Sequence, residues 1–581
     1  MKYPKLRELA SSRQMVDTFR GYNHNLRISD GEFFDMKNMT SDYYPVLSPR
    51  KKRGVYASPN SPTGMIAKDA LCYVDGTKFV INEYPVEMGL NDEPKQLISM
   101  GAYVIIMPDK KWINTLDTTE FGDIEASFTS THDVSFTLCT VDGAAYENMT
   151  VSATEPDKPE NMALWIDTSS KPHMLKQYSA TSSMWVQIAT TYVKISCTGI
   201  GKAFSQYDGV TISGIKDEAL QDLNASMVIW AKGDDYIVVV GLLDELTTQT
   251  AAEGAIKVER MMPDMDFVTE SENRLWGCKY GITANGQVVN EIYASKLGDF
   301  KNWNCFMGIA TDSYAASCGT DGKFTGAITH MGYPLFFKEN CVHKVYGNYP
   351  ANYQIQTTAC RGVQKGCEKS LAIVNEVLYY KARSGICSYD GSLPIEASYP
   401  LGNEAYSDAV GGAHGNKYYV SMKDVAGTWN LFVYDTAKGM WHKEDNLHVS
   451  AFCSCRGEMY AIDADAKKIL TMLGSGEVDD KKLQWMVETG EIGISSPDMK
   501  YISRLTVRML LDIGSEVRIY GKYDFSDAWE HLFVTTGTSL RSFSVPIRPK
   551  RCDHMRIRIV GEGMAKIYAI TKTIEQGSEI S

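Results

Sequence analysis

Paired carboxylates are the first residues in this chain whose types and spacing bear on chemistry. They occur at Asp264-x-Asp266 and Asp463-x-Asp465. A glycosidase needs two carboxyl groups held at a set separation across a cleft. Residues two apart on a strand share a face by simple alternation, so the spacing alone supplies no cleft. Asp463-Ala-Asp-Ala also lacks the ligand series of a calcium loop. Both pairs read as surface turns. The 13 cysteines are odd in number and scattered, with close spacing only at Cys360-x6-Cys367 and Cys453-x-Cys455. Neither has the CxxC-type spacing or the fixed partners of a zinc site, so free buried thiols are expected. None of the ten histidines has another at i,i+4. GxSxG, HExxH and P-loop signatures are missing. The Gly-flanked segment Gly281-Ile-Thr-Ala-Asn-Gly286 has no Lys-Ser/Thr after it and reads as a hairpin turn. No catalytic, cofactor-binding or metal-binding residue is assigned, and the chain is read as a non-enzyme.

Binding chemistry has three candidates. The run Ser48-Pro-Arg-Lys-Lys-Arg-Gly54 places four cations together. It reads as a solvated turn first and as a patch for nucleic acid or an acidic partner second. The formal net charge is -12, which opposes wrapping of nucleic acid, since phosphate neutralisation supplies most non-specific affinity. The second candidate is the segment Asn161 to Ile188, which pairs two Trp-bearing strands. Trp165 and Trp185 fit a β-sandwich core by alternation; the functional alternative is a carbohydrate platform. Third, Asn-Met-Thr triplets at Asn38 and Asn148 match a glycosylation acceptor, which matters only in a secreted chain. The start Met1-Lys-Tyr-Pro-Lys-Leu-Arg lacks an apolar leader core, and no run of about 18 apolar residues marks a membrane helix. Synthesis in a cytoplasm is expected.

The elements that must position these residues are almost all strands. From Ser271 to Gly391, short runs rich in Tyr, Trp, Phe and Val alternate with Gly, Asn and Asp. Strand, tight turn, strand is the cadence of a β-propeller. Segments near 267–308, 324–358, 371–400, 414–441 and 449–473 recur at the interval of a four-stranded blade. Before them, Ala70 to Asn82 reads as a hairpin around Asp75-Gly76, and Gln96 to Pro108 as a second pair; together they make one blade. The predicted fold is all-β: about six propeller blades, an inserted β domain and a C-terminal antiparallel β-sandwich. The boundaries are an extended N-terminal arm at 1–55, a first blade at 56–116, the insertion at 117–262, the remaining blades at 263–478 and the sandwich at 479–581. Within the insertion, Asp217 to Asn224 is a short helical or looped link, and Leu243 to Glu253 a short helix or loop. In the last segment strict alternation leaves Arg504, Thr506 and Arg508 on a wet face, and Arg556 and Arg558 on a basic one. The arm carries aromatics that need a surface, either its own domain or a neighbouring subunit.

Four stretches, taken in order, resemble the tail-stabilisation or tail-nozzle proteins of short-tailed bacteriophages and related prophages. They are Phe19-Arg-Gly-Tyr-Asn with Asp30 to Met39, leading to Pro45-Val-Leu-Ser-Pro-Arg50; Asn273-Arg-Leu-Trp276 with Tyr293 to Trp303; Gly366 to Ala372 with Tyr379 to Ile386 and Tyr389-Asp-Gly391; and Ile547 to Asp553. The resemblance covers the arm, the propeller and the C-terminal strands. It implies a virion component without catalytic residues or cofactors, in a ring, usually of six copies, below the portal and adaptor. Double-stranded DNA would pass through its channel. Six copies would carry about -72 formal charges, and an acidic wall repels phosphate. The arm is then expected to dock on the neighbouring subunit or the adaptor. The runner-up function is a tail-associated protein that binds host cell-surface glycan, through the insertion or the C-terminal strands. A propeller glycosidase is a third reading, from another class.

Overall fold

The computed structural model describes residues 11–146, 148–243, 247–479, 483–494, 498–524 and 526–576. The opening residues read above for a leader lie outside them. Among the described residues there are strands throughout and only four short 3-10 helices. Among the described residues no helix is long and apolar enough to cross a membrane. The chain divides into two compact units: Met1–Lys95 with Phe336–Val342 and Thr358–Ser581, and Gln96–Leu335 with His343–Thr357.

The first unit holds four sets of four antiparallel strands of propeller type, two of them parts of larger sheets. Their strands are Pro62–Ala67 to Tyr84–Glu87, Ala372–Val374 to Ile395–Glu396, Tyr406–His414 to Met440–Lys443, and Val449–Cys455 to Lys468–Thr471 with Gly54–Ala57. Adjacent sheets pack face to face. Val410, Tyr419, Leu431 and Val433 meet Val449, Met459, Ala461 and Leu470. On its other face the Val449–Thr471 sheet sets Cys455, Ile462 and Ile469 against Leu71, Tyr73 and Val80. A strand buried on both faces has no polar side, which is why these segments read as unbroken apolar runs rather than alternations.

The Val449–Thr471 sheet is completed from the other end of the sequence. Gly54–Ala57 pairs with Lys468–Thr471 in the register Thr471↔Gly54, Leu470↔Val55. Gly54 has no room for a side chain, because a Cβ would fall inside contact distance of the Ser475 carbonyl oxygen and of Thr471 Oγ1. Gly54→Ala is therefore expected to lose about 1–3 kcal/mol by overpacking, read as a lowered urea midpoint.

The arm is woven through its own unit. Gly21–Tyr22 pairs with the edge strand Met440–Lys443 and runs parallel to Glu32–Lys37, which pairs in turn with Gln484–Thr489. One ten-stranded sheet thus runs from Tyr406–His414 through the arm into the C-terminal strands Met555–Glu562, Glu516–Tyr523 and Glu530–Thr535. Ser11–Val16 adds an edge to a second C-terminal sheet, on Ala565–Gln576, followed by Lys500–Leu511 and Arg541–Val545. Phe19, Tyr22, Phe33, Met36 and Met39 are buried. Phe19 stacks on Phe33 at 5.8 Å, and Tyr22 lies 5.6 Å from Phe432. These aromatics therefore find their surface within the chain, which corrects the expectation that they dock on a neighbour. The reason is backbone as much as side chain: the strand edges at Met440–Lys443 and Gln484–Thr489 offer unpaired N–H and C=O groups, and the arm fills them.

In Lys500–Leu511 alternate residues are buried, and Arg504 and Arg508 are exposed as alternation requires. Arg556 and Arg558 are not a free basic face. Both bond the Glu488 carboxylate, at 3.1 and 2.6 Å, and their guanidiniums cover Phe34 and Trp529.

The second unit holds two more sheets of propeller type, Gln96–Met100 to Phe121–Asp123 and Phe267–Ser271 to Tyr314–Ser317. Ile98, Ile105, Met107 and Trp112 of one pack with Val268, Leu275 and Tyr293 of the other, beside Phe300 and Trp303. The single first blade at 56–116 is thereby corrected. The first predicted hairpin is the centre of one four-stranded sheet, and the second supplies the edge strand and its neighbour in another. The missed outer strands are Tyr84–Glu87, mostly exposed, and the three-residue Phe121–Asp123.

Between those two sheets lie three more, from Ala126–Thr129 to Lys257–Arg260, around one core that includes Phe136, Ile166, Val193, Ile212, Ile237 and Val258. Glu218–Leu223 is a 3-10 helix, with the Asp217 carboxylate accepting the Ala219 N–H. In the 243–253 segment, Thr247–Gln249 is a strand on Val134–Cys139, not a helix or loop. Its polarity misleads because the buried Gln249 side chain spends its amide on the Gly214 and Gly254 carbonyls and the Lys216 N–H. Arg260 bonds Asp208 at 2.5 Å, and Asn302 bonds both Asp208 and the Gly209 N–H. This buried set ties the base of the inserted sheets to the segment that follows Phe300.

Candidate functional site

The inserted sheet Met149–Ser152, Leu164–Asp167, Met174–Ser179, Met184–Gln187 buries one of the two tryptophans, Trp165 at 5% exposed, as the core reading has it, and leaves Trp185 half-buried, which that reading did not. Leu164, Ile166 and Leu175 enter the core of the insertion. The register sets Trp165 opposite Lys176, and Lys176 opposite Gln187. Trp165, Lys176, Tyr178, Trp185 and Gln187 therefore share the face turned away from that core. Parity alone misses this because Leu164-Trp-Ile166 is apolar at every position.

The face is a compact aromatic group with polar edges. Trp165 lies 5.3 Å from Trp185, edge to face, and Tyr178 lies 5.4 Å from Trp185. Lys176 Nζ sits 4.8 Å from the Trp165 ring and 2.7 Å from Asp167 Oδ2. Trp165 Nε1 donates to the Ser152 carbonyl at 3.0 Å. Hydrogen bonds from Lys176 and from Ser169 hold the Asp167 carboxyl down at about 2. Trp185 is half-buried, and its Nε1 is a buried donor with no partner among the described residues. Flat aromatic faces beside hydroxyl-binding groups suit the C–H faces of a sugar ring.

The other sequence candidates have structural employment. Asp264 accepts the Ala284 N–H and pairs with Lys110, while Asp266 accepts the Tyr280 N–H and pairs with Lys279. Asp463 accepts the N–H groups of Asp465 and Ala466, and Asp465 meets His448 at 2.9 Å. Gly281 to Gly286 closes the hairpin between Arg274–Ile282 and Val288–Ala294, with the Gly286 N–H on the Thr283 carbonyl. Asn38 is buried; its amide donates to the Gln484 carbonyl and accepts from Arg50 Nε.

The basic run is solvated only in part: Lys51 is exposed and Lys52 half-buried. Arg50 and Arg53 are buried. Arg53 bonds Asp445 and Glu444, each at 2.7 Å, and Arg50 reaches the same two carboxylates at 3.4 and 3.6 Å. Alternation could not show this, because the acidic partners lie almost 400 residues away. The cysteines are free thiols, all buried except the half-buried Cys360 and Cys453. Burial, then the neighbouring Cys455, pushes the Cys72 thiol up to about 12, far from the range of a reactive thiolate. Among the described residues no group of three or more His, Cys, Asp or Glu is arranged to hold a metal ion.

No family model matches the chain, and no curated protein matches it. Solved structures with some likeness include an exo-β-1,3-galactanase from Phanerochaete chrysosporium, at 8% identity and TM-score 0.21, over 52% of this chain and 94% of that one. An acylaminoacyl peptidase from Pyrococcus horikoshii has 10% identity and TM-score 0.24, over 61% of this chain and 56% of that one. An engineered GH43 glycoside hydrolase has 7% identity and TM-score 0.19, over 54% and 98%. Likeness at this level carries no functional argument, and what stands for the chain is an almost all-β, propeller-like structure.

Proposed function

We propose that the chain is a structural component of a bacteriophage tail, a nozzle or stabilisation protein that forms a ring below the portal and adaptor and lines part of the genome channel. The finer fold reading is a single propeller carrying the insertion, with the two C-terminal sheets as a sandwich. The observation that supports a load-bearing role is the ten-stranded sheet. Residues 21–37 join a blade-type sheet to the C-terminal strands by continuous backbone hydrogen bonds. That architecture resists separation of the two parts, as a ring segment under genome pressure requires. The net charge of -12 favours passage of DNA over its retention. In this reading the chain has no enzymatic activity and no cofactor, and its partners are copies of itself, the adaptor and other tail proteins. Native mass spectrometry of the purified protein tests it. A closed oligomer supports a ring segment, and a strict monomer at particle-like concentration, with the protein missing from purified particles, opposes it.

A second reading has its own observation, the aromatic face of the insertion. We propose that Trp185 and Tyr178 stack on host surface glycan, backed by the buried Trp165, with Lys176 and Gln187 at the edge. Trp185→Ala is expected to lower glycan-array binding of the full chain roughly ten-fold or more, by analogy with the about 1–3 kcal/mol of one aromatic stack. Its melting temperature should move little, since the residue lies outside the core of the insertion. Unchanged binding by W185A would remove this reading.

A further inference from the structure

The net charge of -12 hides a split along the chain. Residues 500–576 carry 13 Lys and Arg against eight Asp and Glu, so this segment is +5 by formal charge. Part of that surplus stands together on one face. Lys500–Leu511, Ala565–Gln576, Arg541–Val545 and Ser11–Val16 form one four-stranded sheet. Leu505, Val507 and Met509 are buried on one side of it, and Arg504 and Arg508 are exposed on the other. Residues directly opposed across strands share a face. The register sets Arg504 beside Thr573 and Thr573 beside Arg13, Thr506 beside Ser544, and Arg508 beside Ser542. Arg13, Ser542 and Ser544 are exposed as well. Among the described residues none of the three guanidiniums has a carboxylate partner. Two carboxylates stand at the ends of the face: Glu575 accepts the Tyr501 hydroxyl at 2.6 Å, and Asp17 accepts that of Thr18 at 3.4 Å. The exposed Arg548 and Arg551 extend the positive charge along the loop from Val545, opposite Leu505, to Cys552, opposite Lys500.

Guanidiniums interleaved with Thr and Ser hydroxyls are the side chains that contact phosphate oxygens. The face has the reach for several. Arg504 and Arg508 are four residues apart on one strand, about 13 Å, and Arg13 and Arg504 are two strand spacings apart, about 10 Å. A duplex carries one charge per about 1.7 Å of its axis, so guanidiniums at these separations meet phosphates in any register. A protein partner fits less well. The core of such an interface is apolar and aromatic, whereas Met15 is the one large exposed hydrophobic among the described residues of this face. The same lack of apolar side chains disfavours insertion into a lipid surface. The acidic remainder of the chain does not forbid the contact, because exposed charges more than about 8 Å away are largely screened at physiological salt. We propose that this sheet face binds the phosphate backbone of double-stranded DNA, with Arg13, Arg504 and Arg508 each on a phosphate. The contact is independent of base sequence and weakened by salt, so it holds a duplex without fixing its register. It is read from charge and strand register and does not depend on the tail or glycan readings.

The test uses the full chain and a fluorescein-labelled DNA duplex of random sequence, titrated by fluorescence anisotropy at several salt concentrations. Three phosphate contacts predict that log K falls with log salt at a slope of about -2.7. Arg504→Gln combined with Arg508→Gln, both at exposed positions, should weaken binding at low salt roughly ten-fold or more and flatten the slope by about two, without lowering the melting temperature. Arg13→Gln, on another strand, should flatten the slope by about one, and so covers the case in which the double variant does not fold. A second duplex of unrelated sequence should bind equally. No duplex binding at low salt, or a wild-type slope in R504Q/R508Q or in R13Q, would overturn the proposal. So would binding of phosphatidylserine vesicles or of poly-glutamate where the duplex does not bind, which would turn the face to a lipid surface or to an acidic protein.

Discussion

Arg53→Met is expected to destabilise the first unit by about 3–5 kcal/mol, the usual cost of removing one partner from a buried ion pair. The guanidinium is 4% exposed and bonds Asp445 and Glu444 at 2.7 Å each. Methionine fills most of the volume but leaves the buried Glu444 and the half-buried Asp445 with Arg50 as the neighbouring guanidinium. The cost is set by their desolvation and not by the net worth of the pair. The pH dependence fixes the sign. Burial by itself would raise the Asp445 carboxyl, but the charge and hydrogen bonds of Arg53, with Arg50 behind them, hold it below its ordinary value. A depressed carboxyl contributes stability that is fully present above its unfolded pKa, about 3.9. That contribution is lost as pH falls through the folded value. The difference between wild type and R53M should therefore be largest near neutral pH and shrink on acidification below about pH 4. Urea unfolding at pH 7 and at about pH 2.5 reads both. A gap that is constant across that range would show that packing, not charge, carries the effect.

Phe33→Ala is expected to cost about 3–5 kcal/mol as a large-to-small change in a close-packed site. Phe33 is 1% exposed and stacks on Phe19. It lies on the strand that joins Gly21–Tyr22 to Gln484–Thr489, so the damage falls on the seam of the ten-stranded sheet. Limited proteolysis should then release the C-terminal segment near residue 479 before the blade-type sheets are cut. Wild-type resistance in F33A would mean that the seam is held by backbone bonds alone.

The fold class was legible because its signal is local. Tyr, Val and Phe runs punctuated by Asp-Gly and Asn-Gly mark hairpins whatever surrounds them, and the hairpin at Asp75-Gly76 forms as read. Completion of the sheets was not legible. Tyr84–Glu87 pairs along an exposed edge and carries little apolar pattern, so two sheets looked like one. Gly54–Ala57 belongs to a sheet more than 400 residues away in sequence, and no periodicity within the arm records that. Charge was misread for the same reason. Arg50 and Arg53 look like a solvated run until Glu444 and Asp445 are beside them. The aromatic site was half legible. Trp165 and Trp185 stood out by type, but only the register with Lys176 and Gln187 shows which face they occupy. Arg274 was legible only as one residue of a resembling stretch, because its work is on backbone carbonyls of later segments.

The measurement that bears most directly on the proposed function is a cryo-EM reconstruction, without imposed symmetry, of the particle that carries this protein. The tail reading predicts a ring of copies on the tail axis, enclosing the DNA path, with the arm of each copy folded into its own chain. Density on peripheral appendages, with the aromatic face of the insertion pointing outward, would contradict the nozzle role and leave glycan recognition as the function.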